Sequence, residues 1–212
     1  MFIIDFDDTL FDTRKFKSDR MKALEKIGIS EKLYEETYLK ARNELGLVFY
    51  NSDRHARVIA QHGFDEQKIK LVFYLFNQPD QLKKYLFSDA KLFLRKLKKL
   101  GEPLALLSLG NPEFQYLKVK GSGIHEYFDR VFMTSSPKKE VIKKIIESHD
   151  KKTKIWLIND KISETIEIIE LYSYINAVLK KSKRFSNDEY KKSNLIFFST
   201  LNEIYDYITG VK

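Results

Sequence analysis

The 212-residue sequence contains no cysteine. That excludes a disulfide framework, a thiol nucleophile and any cysteine-ligated zinc or iron–sulfur centre, and it suits a reducing compartment. Histidine is scarce. His55, His62, His125 and His149 show neither an HExxH pattern nor any close ligand spacing, which argues against a histidine-rich zinc centre. Glycine and proline number eight and four, and there is no Gly/Ser linker, internal repeat or low-complexity tract. Long apolar runs are missing as well. The longest, such as 71–76, fall far short of the ~20 residues needed to span a bilayer. The start, Met1-Phe2-Ile3-Ile4, turns acidic at Asp5, Asp7 and Asp8, whereas a signal peptide opens basic and then stays apolar for longer. A cytoplasmic protein without a membrane partner is expected, as a monomer or homodimer.

The remaining composition is that of a folded chain. Hydrophobic residues make up 43% and aromatic residues 14%, which excludes wholesale disorder and supports one core with a small attached lobe. Thirty-eight basic against 30 acidic residues leave a formal charge of +8. Such a surface attracts anions: nucleic acid, phosphorylated small molecules or acidic membrane. The basic residues are spread along the chain. Their densest clusters, 95–99 and 180–184, are short enough to be exposed helix and loop faces. No aromatic RNA-binding signature is present, so nucleic acid is possible as a partner but not favoured.

Apolar periodicity divides the chain into three stretches. Residues 2–4 read as a short buried strand. From about 12 to 85 the pattern is helical throughout, with apolar residues such as Leu24, Ile27, Leu33, Tyr34, Tyr38 and Ala41 at three-to-four spacing and Pro79 closing a helical region. From 88 onward helix and strand alternate. Strands are predicted over 104–107, 131–133, 155–158, 175–179 and 195–198, and helices over 90–100, 141–146, 165–171 and 201–208. Short apolar strands alternating with helices predict an α/β fold, a Rossmann-like parallel sheet flanked by helices. In such sheets ligands bind beyond the carboxyl ends of the strands. Three predicted strand ends carry polar residues there: Asp5-Phe6-Asp7-Asp8-Thr9, Ser108-Leu109-Gly110-Asn111 and Asn159-Asp160.

A DxDxT string arises by chance at roughly 1 in 10⁴ positions, and fewer still follow an apolar strand. The chemistry it suits is a carboxylate nucleophile, Asp5, with a second carboxylate, Asp7, two residues on. A carboxylate can attack phosphorus and split a hard transfer into two steps through an aspartyl-phosphate. Attack by an anion on a phosphate monoester calls for charge neutralisation by a divalent metal and a lysine. Asp160 stands at the same sheet rim as Asp5, and two strand-end carboxylates with phosphate oxygens and waters suit Mg²⁺. Glu164, four residues on, binds that metal directly or through water, or is an exposed helix glutamate. For the lysine, Ser135-Ser136-Pro137 reads as a helix start. At ~100° per residue Lys138 shares the direction of Val141, Ile142, Ile145 and Ile146, with Lys139 about a quarter-turn away. Lys138 is the choice and Lys139 the fallback. The Ser108 hydroxyl and the following backbone N–H groups suit phosphate oxygens, with Gly110 allowing close approach.

The order Asp5, Ser108, Lys138, Asp160 resembles the four motifs of the haloacid dehalogenase (HAD) superfamily over residues 1–11 and 86–212. The resemblance implies that Asp5 is nucleophile and Mg²⁺ ligand, and that Asp7 is general acid/base and offers its backbone carbonyl to the metal. It further implies that Ser108 and Lys138 hold the phosphoryl oxygens and that Asp160 ligates Mg²⁺. True dehalogenases lack an acid at the position of Asp7. Its presence favours phosphoryl chemistry, because an alkoxide leaving group needs a proton and a halide does not. Residues 12–85 resemble the family's all-helical C1 cap, which closes over the site and selects substrates. The fourth motif departs from the family pattern at Asn159 and Glu164. The activity implied is hydrolysis of a small phosphate monoester. The alternatives are a catalytically weak phosphate-binding module or a phosphatase for nucleic-acid ends. Arg14, Lys17, Arg20, Arg42, Arg54 and His55 are the cap residues able to meet an anion, and Phe49, Tyr50, Phe73, Tyr74 and Phe76 either line a pocket or form cap core.

Overall fold

Phe2, Ile3 and Ile4 are buried on both faces, which is possible only for a central strand covered by helices on each side. Fully burying such side chains contributes about 1.5–3 kcal/mol each. The computed structural model, which describes residues 1–44, 47–147 and 154–210, places this strand, β1 (Phe2–Ile4), in the middle of a six-stranded parallel sheet. Between β1 and the next sheet strand lie helices α1 (Thr13–Glu25), α2 (Glu31–Arg42), α3 (Ser52–Ala60), α4 (Glu66–Phe76) and α5 (Pro79–Leu82), with a minute antiparallel pair, β2 (Asn43–Glu44) and β3 (Leu47–Val48). The core resumes with α6 (Ala90–Lys98), β4 (Leu104–Leu109), α7 (Pro112–Gly121), β5 (Arg130–Thr134), α8 (Lys138–Glu147), β6 (Ile155–Asn159), α9 (Ile162–Leu171), β7 (Ile175–Lys180), α10 (Asn187–Lys192), β8 (Phe197–Phe198) and α11 (Leu201–Thr209).

The sheet order is β5-β4-β1-β6-β7-β8. Ile4 pairs with Leu106 on one side and Ile158 on the other. The chain therefore leaves β1 toward both edges, and the crevice beyond its carboxyl end is the topological switch point where such sheets bind ligands. One apolar layer, including Phe93, Leu97, Leu201 and Ile204, covers the face toward α6 and α11. The other, including Ile142, Ile145 and Ile168, covers the face toward α8 and α9.

The insert has a core of its own built from Leu24, Ile29, Tyr34, Ala56, Ile59, Ile69 and Phe73. It joins the sheet domain through two adjacent crossings. Phe11 bridges Leu86, the Asp12 N–H donates to the Tyr85 carbonyl, and the Phe87 N–H to that of Leu10. Phe16, Leu82 and Tyr85 pack into the sheet domain's core rather than the insert's.

Three sequence expectations change. The insert is not all-helical, because the chain turns through β2 and β3. Pro79 opens α5 instead of closing a helix, since its fixed φ and missing N–H suit a first helical position. Two helices are absent from the predicted set: α10, of six residues, and α7. The inner face of α7 carries buried Gln115 and Lys118, so no apolar stripe marks it. The other predicted elements are present with ends shifted by a few residues. His149 lies outside the described residues.

Candidate active site

The turn after β1 sets the geometry. The Asp5 N–H donates to the Ile158 carbonyl, which continues the ladder one residue past the strand, and the Leu10 N–H returns to the Phe6 carbonyl. Asp8 takes a positive φ of 59°, a left-handed conformation that aspartate tolerates better than most residues. This tight loop buries Asp5 and aims Asp7 toward α7.

Asp5 is 4% exposed. Its Oδ1 lies 2.6 Å from Lys138 Nζ, and its Oδ2 accepts from Thr9 Oγ1 at 3.1 Å. Lys138 also meets Glu164 Oε1 at 2.8 Å. Burial works against the ammonium, but the two carboxylates outweigh it and raise the lysine's pKa. Glu164 is held at about 2. Burial pushes it up, and Lys138, then Lys161, pull it further down. Burial raises the pKa of Asp5 against the pull of Lys138. Lys139 points outward and pairs with Glu167, so Lys138 is the lysine of the two that the fold brings to Asp5. Glu164 is thus held between two cations, Lys138 at 2.8 Å and Lys161 at 3.6 Å.

Asp7 has three donors: Lys118 Nζ at 2.5 Å, Gln115 Nε2 at 2.6 Å and the Thr13 hydroxyl. Burial raises its pKa, but the Lys118 charge and these hydrogen bonds overcome it and bring it to about 2. Gln115 also donates to the Leu109 carbonyl at 2.9 Å. Gly110 makes room for it: at φ +149°, a Cβ there would sit 2.7 Å from Gln115 Nε2.

Asp160 is fully buried, and neither carboxylate oxygen has a hydrogen-bond partner. Arg184 Nε stands 3.5 Å away, while Arg184 Nη2 takes Asp8 at 3.0 Å. Burial first, and the nearby Asp5 charge second, lift Asp160 to about 7. A buried carboxylate with no hydrogen-bond donor, close enough to feel the Asp5 charge, is a donor set that fits a hard divalent cation. Among the described residues no cage of three or more His, Cys, Asp or Glu exists. The fit is therefore to an ion that takes its remaining ligands from water, backbone and phosphate. Ser108, near the end of β4, is fully buried with its hydroxyl also without a partner.

Gln115, Lys118 and Arg184 escaped the sequence reading. The signal for the first two was an Asn111-Pro112 helix start followed by polar residues three apart, a helix whose inner face serves a site. In the sequence Arg184 belongs to the basic cluster at 180–184, which reads as an exposed face. Instead it bridges two buried aspartates, and Lys180 is itself 6% exposed.

A cavity of about 210 Å³ runs from Asp5, Asp7, Gly110, Asn111 and Lys118 up to Lys17, Arg20, Tyr38, Arg42 and Tyr50 on the insert. Of the cap candidates, His55 is buried away from it, between Thr37 Oγ1 and Tyr50 OH at 3.1 Å each. Phe73 is insert core.

Known proteins share this chain's sequence pattern and fold. A sequence model of haloacid dehalogenase-like hydrolases matches residues 1–166. The glyceraldehyde 3-phosphate phosphatase of Methanothermobacter thermautotrophicus is 32% identical over 133 residues, 60% of this chain and 59% of that protein. The chain thus matches only about three-fifths of that relative's length. A haloacid dehalogenase-like hydrolase of Burkholderia xenovorans LB400 superposes with a TM-score of 0.74 at 18% identity, covering 96% of this chain and 95% of the other. YfnB, a HAD-hydrolase of Bacillus subtilis bound to magnesium, superposes with a TM-score of 0.64 at 16% identity, covering 98% and 97%. At these identities the two structures show the shared fold. No helix among the described residues is long and apolar enough to cross a membrane.

Proposed function

The chain belongs to the haloacid dehalogenase-like hydrolases, and we propose that within them it is a Mg²⁺-dependent phosphatase that hydrolyses a small phosphate monoester through an aspartyl-phosphate on Asp5. The observation that carries this reading is the pairing of Asp5 with Lys138 at 2.6 Å, beside an orphaned Asp160 and an independently held Asp7. The phosphatase name of the archaeal relative supports it.

Asp5 attacks phosphorus in line with the bond to the leaving oxygen. The new Asp5–phosphorus bond forms as the ester bond breaks, and Asp7 gives its proton to the departing alkoxide. In the free protein Asp7 is ionised. The negative charge of an arriving phosphate opposes Lys118 and raises its pKa, so that the proton is taken up with the substrate. Asp7 then removes a proton from the water that attacks the aspartyl-phosphate, which frees phosphate and restores Asp5. Lys138 balances the charge of the phosphoryl oxygens in both steps, and Glu164 positions that lysine. Ser108 donates to a phosphoryl oxygen. Asp5, Asp160 and the Asp7 carbonyl would hold Mg²⁺, which when bound supplies positive charge to the phosphoryl group.

The cavity's volume lies below the roughly 300–1,000 Å³ of ordinary small-molecule pockets, which favours compact esters over nucleic-acid ends. The test is hydrolysis of para-nitrophenyl phosphate with Mg²⁺. Turnover should vanish in Asp5→Asn and in chelator, and return with added Mg²⁺. Full turnover by folded Asp5→Asn would overturn the mechanism.

A further inference from the structure

The roof of the cavity carries positive charge that the chemistry at its floor leaves unused. Lys118 is engaged by Asp7, Arg184 by Asp8 and Asp160, and Lys161 lies 3.6 Å from Glu164. Three cations on the insert have no carboxylate within ion-pairing distance among the described residues. Arg20 is 1% exposed. Its Nη2 donates to Tyr50 OH at 2.7 Å and Ser52 Oγ at 3.4 Å, its guanidinium lies 4.1 Å from the centre of the Phe73 ring, and its Nε has no partner. Lys17 places its ammonium 3.9 Å over the Tyr38 ring. Burial, and next the charge of Arg42, bring its pKa down to about 8. Arg42 lines the same cavity.

An arginine does not lose its proton in proteins, so a buried guanidinium without a counter-ion is costly unless something supplies negative charge. Two further cations held near it add repulsion, which an anion placed between them would relieve. The phosphoryl group itself is provided for by Lys138, which pairs with Asp5 on the cavity's floor. Resting on the phosphatase reading above, we infer that Lys17, Arg20 and Arg42 bind a second anionic group, so that the preferred substrates are compact phosphomonoesters whose alcohol portion carries a carboxylate or another phosphate. The roof then distinguishes substrates of equal size by charge. A loss of charge-assisted hydrogen bonds of this kind is worth roughly 10- to 100-fold in kcat/KM.

The experiment compares three esters of one alcohol skeleton in the presence of Mg²⁺: 2-phosphoglycolate, 2-hydroxyethyl phosphate and ethylene glycol bisphosphate. At least one of the two anionic esters should exceed the neutral ester by tenfold or more in kcat/KM, and the better one identifies carboxylate or phosphate as the group read. That ratio should collapse toward one in Lys17→Met and in Arg42→Met, two half-buried positions whose replacement leaves the aromatic cage around Arg20 in place. Turnover of all three esters at comparable rates would overturn the inference and leave the phosphatase reading standing. A preference unchanged in both variants would overturn the assignment to these residues. Absence of turnover with every ester would remove the phosphatase reading and this inference with it.

Discussion

His55 couples the insert's stability to pH, with a sign and size that follow from its surroundings. The ring is fully buried, each nitrogen has a hydroxyl partner, and the Phe73 ring stacks on it with centroids 5.2 Å apart. Burial, and then the neighbouring Arg20 charge, depress its pKa from 6.5 to about 3. An unfolded chain therefore binds a proton here that the folded chain refuses. The stability contributed by the neutral ring is fully present above pH 6.5 and is lost as pH falls toward 3. Between pH 7.5 and 5.0 the loss amounts to about 2 kcal/mol. Asp160 acts in the opposite direction. Raised from 3.8 to about 7, it takes up a proton in the folded protein over the same window, which opposes the histidine effect. The histidine effect is therefore read as a difference between wild type and a His55 variant, which share the Asp160 contribution. The measurement is urea denaturation of wild type and His55→Gln at pH 7.5 and 5.0 without metal. The stability advantage of wild type should shrink by about 2 kcal/mol on acidification. Equal shifts in both proteins would show that His55 titrates normally and would refute the reasoning.

Two further outcomes follow from the floor of the cavity. Lys138→Met leaves the buried Asp5 and Glu164 carboxylates without their shared cation. It should cost about 3–5 kcal/mol and abolish turnover, and a thermal melt within a degree of wild type would contradict the burial argument. Gly110→Ala forces a side chain into a conformation that costs about 1–3 kcal/mol and displaces Gln115 from Asp7. Gln115→Leu removes the same contact without that strain. Both should reduce turnover of para-nitrophenyl phosphate by a similar factor, while only the first markedly lowers the urea midpoint. Wild-type turnover in both would show that Gln115 does not orient Asp7.

What could be read beforehand was whatever followed a strong local rule. Asp5 and Asp160 each come directly after a short apolar strand, and strand ends are where a parallel sheet collects its chemistry. Lys138 was separable from Lys139 because helical geometry is regular over a single turn. Residues whose role depends on long-range contact were not legible. Lys118 and Gln115 replace the apolar stripe that identifies a helix, so the same feature that makes α7 useful made it invisible. Arg184 belongs to a run of basic residues that looks like surface, and only the fold brings it against Asp8 and Asp160. Glu164 lies four residues beyond Asp160, and only the fold shows that the start of α9 carries its carboxylate to within 2.8 Å of Lys138. The β2–β3 pair is too short to leave any alternating pattern.

The attachment of the insert has a practical meaning for anyone wishing to re-engineer the molecule. Asp7 draws two of its three donors from α7 in the sheet domain, and only the Thr13 hydroxyl comes from across the junction, one residue past the crossing at Asp12. A foreign helical roof spliced between positions 13 and 85 would therefore leave Lys118 and Gln115 in place beneath it, provided that it supplies apolar side chains where Phe16 and Leu82 now pack into the sheet domain's core. With the graft made there, new selectivity becomes a matter of choosing roof side chains, while the proton-handling apparatus stays with the host.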